Sequence, residues 1–483
     1  MNNKKEILQT LQERIKQLLE NLQIEQEKKP LRLALQTGYL SYVRLFIESQ
    51  KRAELQQYFP YAGFPMEWTK AEESMELQQR IWQVQYQMQY CASIVEEGHF
   101  LEKAELMEKG KGLEEVTGLI DWMCEQSDWS EGIPEIFALS LKEMIQQIYQ
   151  LGNSGMFLMP EVITNMLVEL AGEKEHCKMW NPACRTGAFL AAMHKTHPQW
   201  ELSGSETSKE QCILAQMLQF FHGAGIGNVK NEDALEVGAK NVYDLIVSNP
   251  PVGELRVEDQ ERYPVVTRKI QLQYLQMIME GLKKQGLAIV VVNEGILFKF
   301  DAEMKIRKEL LESFELQGII SLPAGAFLPY TSGKASIMIF ANAPERVGEH
   351  SAVWFYELNH LGYTLDRRQE ETGANQIPEL LQAWSQRKEM EVEWNRQLAA
   401  GTLYNQWNNP VPESWKENHY WFASRATIRN NDYNLTAGRY KPWKEDQEET
   451  VESPLQLLQQ LAEMEKETME QIKELIEMTK DYE

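Results

Sequence analysis

Residues 179–193 read MWNPACRTGAFLAAM, and the fold follows from how this stretch is divided. Met179 and Trp180 predict the end of a strand. Asn181 and Pro182 turn the chain, and Thr186-Gly187-Ala188 leads into a helix. A turn of small residues between strand and helix lets backbone N–H groups come close to a ligand at the helix N-terminus. Asn181, Pro182, Ala183, Thr186 and Gly187 are the first candidate binding residues.

Working outward, short apolar runs recur at even intervals. They are WELSGSE (200–206), YDLIVSNPP (243–251), GLAIVVVNEGILF (286–298) and LQGIISLPAGAF (316–327). Between them lie helix-patterned stretches such as SKEQCILAQMLQFF (208–221) and QLQYLQMIMEGLKKQ (271–285). Strands alternating with helices predict a mostly parallel, doubly wound α/β sheet with helices on both faces. In such sheets ligands sit at the carboxyl ends of strands. VWFYELNHLGYTLDRRQ (353–369) adds an expected edge strand and turn.

The flanks differ. Residues 1–134 are rich in Gln, Glu, Leu and Met at helical spacing and predict an all-α domain. Residues 135–400 form the α/β domain. Residues 401–483 are polar and Trp-rich, and they end in a stripe of Leu457, Leu461, Met464, Ile472 and Leu475 on one helical face. Such a stripe either packs on its own domain or meets a partner helix.

The totals set bounds. A chain of 483 residues with 43% hydrophobic and 25% charged residues is globular and long enough for two or three domains. No run of eighteen apolar residues occurs, and the first residues lack a signal-peptide core, so a cytoplasmic protein with no membrane partner is expected. The five cysteines form no CxxC pair, and His194 and His197 form an HxxH joined by no acidic or Cys cluster, so no metal site is expected. A net charge of −23 makes unaided binding to a phosphate backbone weak. If nucleic acid is the substrate, a local basic face or a partner must supply the attraction.

YDLIVSNPPVG (243–253) ends an apolar strand in a rigid corner. Proline fixes φ and restricts the residue before it. An exocyclic amine on a base is a poor nucleophile because its lone pair is delocalised into the ring. The Asn249 side-chain oxygen and the Pro250 carbonyl can accept its two N–H bonds, shift density onto nitrogen and aim it. Asn249, Pro250, Pro251 and Val252 are therefore the candidate catalytic corner.

Taken together, the 181–187 turn and the Asn-Pro-Pro corner resemble the signature loops of adenine-specific amino-methyltransferases. SGMFLMPEVITNMLVEL (154–170), SIMIFAN (336–342), NNDYNLTAGRY (430–440) and the helical tail extend the likeness to the modification subunit of type I restriction systems, over roughly 135–483. The resemblance implies a class I S-adenosylmethionine-dependent methyltransferase fold and adenine-N6 DNA methylation. S-adenosylmethionine would be held by Phe157, Pro160, the 181–187 turn, Glu206 on ribose hydroxyls, Asp233 on the cofactor's adenine, and Asn249. It also implies a specificity subunit that reads DNA and docks on the C-terminal helix, and it admits a second copy of the chain and a restriction subunit. Three positions depart from the family pattern. Met159 stands for Thr, Arg185 for the first Gly of the turn, and Val252 for the aromatic residue that usually holds the extruded base. Two other readings stay open. One is a weakened or inactive homologue acting as a scaffold or DNA clamp in a defence complex. The other is methylation of a planar amide or amine in RNA or on a protein glutamine.

Overall fold

Side chains alternate along the central strands between two hydrophobic cores, as the period-2 geometry of a strand requires. Ile289 and Val291 face one core, while Ala288, Val290 and Val292 face the other. Ile337 and Ile339 separate from Met338 and Phe340 in the same way, as do Trp354 and Tyr356 from Val353 and Phe355. A sheet apolar on both faces must be covered on both.

The computed structural model describes residues 2–24, 30–49, 51–59, 111–151, 158–224, 228–255, 261–328, 330–348, 351–366, 370–400, 404–406, 409–411, 419–441 and 469. By contact the chain divides into Met1–Lys441 and Pro442–Glu483. The first unit begins with α1 (Asn2–Asn21), α2 (Leu31–Ser49), α3 (Ala53–Gln56), α4 (Lys111–Glu125), α5 (Glu135–Gln150) and α6 (Glu161–Ala171). The alternating part follows as β1 (Lys178–Asn181), α7 (Ala188–Thr196), β2 (Glu201–Glu206), α8 (Lys209–Phe221), β3 (Val229–Asn231), α9 (Ala234–Val237), β4 (Tyr243–Ser248), α10 (Ile270–Gly281) and β5 (Leu282–Asn293). It continues as α11 (Glu294–Phe298), α12 (Ala302–Ser313), β6 (Glu315–Ser321), β7 (Ala335–Ala341) and β8 (Ala352–Glu357). Beyond lie β9 (Leu361–Tyr363), β10 (Glu371–Asn375), α13 (Ile377–Ala400), β11 (Tyr404–Gln406), β12 (Asn409–Val411), β13 (Tyr420–Ser424) and α14 (Arg425–Asn430).

Nine strands form one sheet in the order β3-β2-β1-β4-β5-β7-β6-β8-β13. From β3 to β5 every neighbour pair is parallel, with Trp180 opposite Ile246 and Val247 opposite Ile289. β7 then inserts antiparallel between β5 and β6, with Val290 opposite Met338 and Ile320 opposite Ile337. The expected edge strand is not at the edge. Nearly all of β8 is buried, and an edge would leave its ladder groups unpaired. Antiparallel β13 covers it, with Trp421 opposite Phe355 and Phe422 opposite Trp354.

The N-terminal helices form a third core that includes α8. Ile15, Leu40, Val43, Phe137 and Leu141 share it with Met217, Phe220 and Phe221. Gly38 permits the approach of α2 to α8, since a Cβ there would lie 2.7 Å from Met217 Sδ. Among the described residues no helix is long and apolar enough to cross a membrane. The C-terminal stripe expected to dock on a partner lies outside the described residues.

Candidate active site

The carboxyl ends of β1, β2 and β4 open on one edge of the sheet, and the turn after β1 is held there by its neighbours. Cys184 N donates to Ser205 O at 3.1 Å, and Ala183 N donates to Asn181 Oδ1 at 3.3 Å. Arg185 N donates to Glu206 Oε2 at 2.9 Å. Two residues of the turn are left-handed: Arg185 at φ 56° and Gly187, the N-cap of α7, at φ 78°. A Cβ at Gly187 would also stand 2.8 Å from Ala215 Cβ, so glycine is required there twice over. Arg185 occupies the same region with a side chain, at a cost of roughly 1–2 kcal/mol.

Glu206 is buried, and its carboxylate is doubly tied. Oε2 takes Arg185 N, and Oε1 takes Ser208 N at 2.9 Å. A carboxylate offers about four acceptor sites, so capacity remains for a ligand hydroxyl. Asp233 caps α9, with Oδ1 accepting Leu235 N at 2.9 Å, which leaves Oδ2 for a second donor. Tyr274 of α10 is buried beside these groups. Burial, then the negative charges of Asp233 and Glu206, push its hydroxyl well above the usual tyrosine range, while Arg185 opposes them.

Two clefts meet at Asn249. The first, of about 40 Å³, runs between the 181–189 turn and the start of α6; Met159, Asn181, Ala183, Arg185, Thr186 and Asn249 are on its wall. The second, of about 50 Å³, lies on the far side and is bounded by Arg185, Asn249, Pro250, Val252, Phe327 and Tyr330. Arg185 and Asn249 are the two residues shared by both. Ser248, just before the corner, is buried on the first cleft, and its Oγ has no hydrogen-bond partner. An orphaned buried hydroxyl is costly unless a ligand satisfies it.

The structure therefore brings Asn181, Ala183, Thr186 and Asn249 to one cleft and Pro250 and Val252 to the other. Pro182 and Gly187 shape the turn without lining either cleft, Pro160 is the N-cap of α6, and Pro251 lines neither cleft. Glu206 and Asp233 stand at the ends of the next two strands. Phe157 lies outside the described residues. His197 is buried and stacks on Trp200 with ring centroids 3.9 Å apart. Among the described residues no group of three His, Cys, Asp or Glu could hold a metal.

Sequence reasoning gave no role to Ser248, Tyr274, Phe327 or Tyr330. An aromatic turn, LPAGAFLPYTSG (322–333), was visible, but nothing in it signalled proximity to Val252. Val252 is 64% exposed and Tyr330 52%. An aromatic face thus flanks the second cleft, although the corner itself lacks one.

The sheet order, with one antiparallel strand inserted among parallel ones and a ligand edge at the strand ends, defines a class I methyltransferase fold. A sequence model described as N-6 DNA Methylase matches residues 141–449, and the chain belongs to that family. It is similar to the type I restriction enzyme EcoEI methylase subunit of Escherichia coli, 30% identical over 243 residues, which is 46% of this chain and 49% of that one. It is also similar to the MpnII methylase subunit of Mycoplasma pneumoniae, 22% identical over 371 residues, or 70% and 62% of the two chains. The chain thus spans about half to three fifths of the length of these curated relatives.

Two solved structures share the fold. One is from a study of complex assembly and conformational transition in the type I restriction-modification system, with a TM-score of 0.64, 20% identity, and 97% and 98% of the two chains covered. The other is the type I methyltransferase subunit of Streptococcus thermophilus, with a TM-score of 0.61, 18% identity, and 90% and 99% covered.

Proposed function

We propose that the chain is the modification subunit of a type I restriction-modification system, transferring a methyl group from S-adenosylmethionine to adenine N6 in DNA, in the cytoplasm. The observation that carries this reading is the position of Asn249 where the two clefts meet. One cleft suits a methyl donor held by the turn, and the other suits an extruded base. Bound in the first, S-adenosylmethionine supplies a methyl group on a good leaving group, so no covalent enzyme intermediate is needed.

In this reading Glu206 takes the ribose hydroxyls and Asp233 the amino group of the cofactor's adenine. Ser248 Oγ, orphaned in the protein alone, gains a partner. Asn249 Oδ1 and Pro250 O accept the N–H bonds of the target amine and aim its lone pair. The donor set fits the cofactor. The net charge of −23 fits a subunit whose DNA contacts come largely from a specificity subunit, docked on the C-terminal helix.

A second reading, a non-catalytic scaffold of the same complex, is favoured by one observation: an arginine in place of the family's glycine lines both clefts. Titration calorimetry with S-adenosylmethionine, followed by labelled-methyl incorporation with the specificity subunit present, separates the two. The enzyme reading predicts saturable binding and label in DNA. Asn249→Ala should then lose about 10²–10³-fold in rate at saturating cofactor, the range for a transition-state hydrogen-bonding group. Absence of binding with the partner present selects the scaffold, and label in RNA or protein instead of DNA rejects the substrate assignment.

A further inference from the structure

The edge of the sheet opposite the clefts carries a separate polar cavity. It has about 120 Å³ of open space and lies where the N-terminal ends of β6 and β8 meet the end of β13 and the middle of α13. That is well above the ~10–15 Å³ a cavity needs to hold one water, enough for a tetrahedral oxyanion. Four cationic side chains, Arg346, Arg387, Lys388 and Arg425, and two carboxylates, Glu315 and Glu391, line it.

Most of these groups have partners. Arg387 Nη2 donates to Gln317 Oε1 at 2.7 Å, Nη1 donates to Trp384 O at 3.1 Å, and the guanidinium lies 3.6 Å over the Trp384 ring. Arg346 Nη1 is 3.4 Å from Glu315 Oε2. Glu391 Oε1 accepts Ala352 N at 2.9 Å. Arg425 is the buried exception. It is only 5% exposed, and its Nη2 is buried with no hydrogen-bond partner. That Nη2 has no surface open to the cavity, but a guanidinium left bare in the interior is costly unless an acceptor reaches its other N–H groups. The wall holds four positive and two negative groups, an excess of positive charge in a chain of net charge −23.

We propose that this cavity is a binding site for a tetrahedral phosphate oxyanion, held by the Arg425 guanidinium with Arg346, Arg387 and Lys388 around it. The phosphate is either the free ion or the terminal group of a nucleotide. Planar guanidinium donors suit phosphate oxygens in paired geometry, and two negative charges would balance the excess on the wall. The site lies at the opposite end of the strands from the clefts and does not depend on methyl transfer.

The test is titration of the whole chain with inorganic phosphate, read by calorimetry and by thermal stabilisation, which follows occupancy of the folded state. Saturable binding in the millimolar range or tighter is expected, weakened at least tenfold by Arg425→Gln. Lys388 is exposed, so Lys388→Gln leaves folding intact and should weaken binding several-fold. Glu391→Gln keeps the acceptor for Ala352 N and removes a like charge, so it should tighten binding. A parallel titration with a nucleoside 5′-monophosphate assigns the source: tighter binding than the free ion indicates a nucleotide, equal or weaker binding the ion itself. No saturable binding of either probe, or binding indifferent to Lys388→Gln and Glu391→Gln, overturns the proposal.

Discussion

The turn after β1 and the corner after β4 leave neighbouring strands of one sheet, yet they are built by different means. The turn depends on its surroundings. Left-handed Arg185 is held by its N–H bond to Glu206, and Cys184 beside it by a bond to Ser205 O, both on the next strand. The corner is stiffened from within by two prolines, whose ring closure restricts the backbone whatever surrounds it. The departures from the family pattern follow this division. Arg185 puts a side chain into a conformation that favours glycine, so it bears on stability and on the width of both clefts. Val252 is largely exposed, so the lost aromatic face leaves the fold undisturbed and bears only on what the second cleft can hold.

Glu206→Ala is the strongest way to break the comparison, because it removes the support of the turn and leaves the corner alone. Two N–H groups, of Arg185 and Ser208, would lose their acceptor. At about 1–3 kcal/mol for each buried unsatisfied group, a stability loss near 3 kcal/mol is expected, read as a lower urea midpoint at unchanged slope. Affinity for S-adenosylmethionine should fall at least tenfold, and Glu206→Gln, which keeps one acceptor, should lie between. A drop in stability with cofactor affinity untouched would confine Glu206 to a structural role and remove it from the ribose.

Val252→Phe sharpens the comparison from the other side. Base–aromatic stacking contributes roughly 1–3 kcal/mol per base. The variant should bind DNA carrying an unpaired target adenine about 5- to 150-fold more tightly, with no shift in the unfolding midpoint. If Tyr330 already supplies an aromatic face to this cleft, Tyr330→Ala should weaken the same binding, and the two substitutions should compensate in the double variant. Equal affinities in all four proteins, measured by fluorescence anisotropy, would show that neither residue meets the base.

The strand–turn–helix logic of residues 179–193 was legible because the apolar period changes at Asn181 and small residues mark the turn; the structure ends β1 at Asn181 and starts α7 at Ala188. The strain at residue 185 was also legible, from an arginine where a turn calls for glycine. Long-range pairing was not. Nothing local in YWFAS says that it covers VWFYE, and nothing in LPAGAFLPYTSG says that its tyrosine faces the second cleft. NNDYNLTAGRY was recognisable only as a resemblance, and the structure supplies a physical role. Arg307 is fully buried, and its Nε donates to Tyr433 O at 2.7 Å. Its Nη1 donates to Ile296 O at 2.8 Å and to Lys299 O at 2.7 Å, so the segment after β13 is tied to α11 and its C-cap through one guanidinium. Burial lowers the pKa of that group to about 10, which still leaves it charged at neutral pH. Partners separated by more than a hundred residues leave no periodic trace.

Arg185→Gly has the smallest expected effect and tests the turn most directly. A left-handed arginine costs roughly 1–2 kcal/mol relative to glycine in the folded state. Against that, glycine gives the unfolded chain extra freedom worth about 0.5–1 kcal/mol. The balance is a stabilisation of about 0.5–1 kcal/mol, readable as a higher urea midpoint at constant slope. The same change removes the side chain shared by the two clefts, so affinity for S-adenosylmethionine should rise. A lower midpoint would mean that the contacts of the Arg185 side chain outweigh its backbone strain. A higher midpoint with weaker cofactor binding would mean that the guanidinium meets the cofactor carboxylate, turning the departure at residue 185 from an obstruction into a ligand contact.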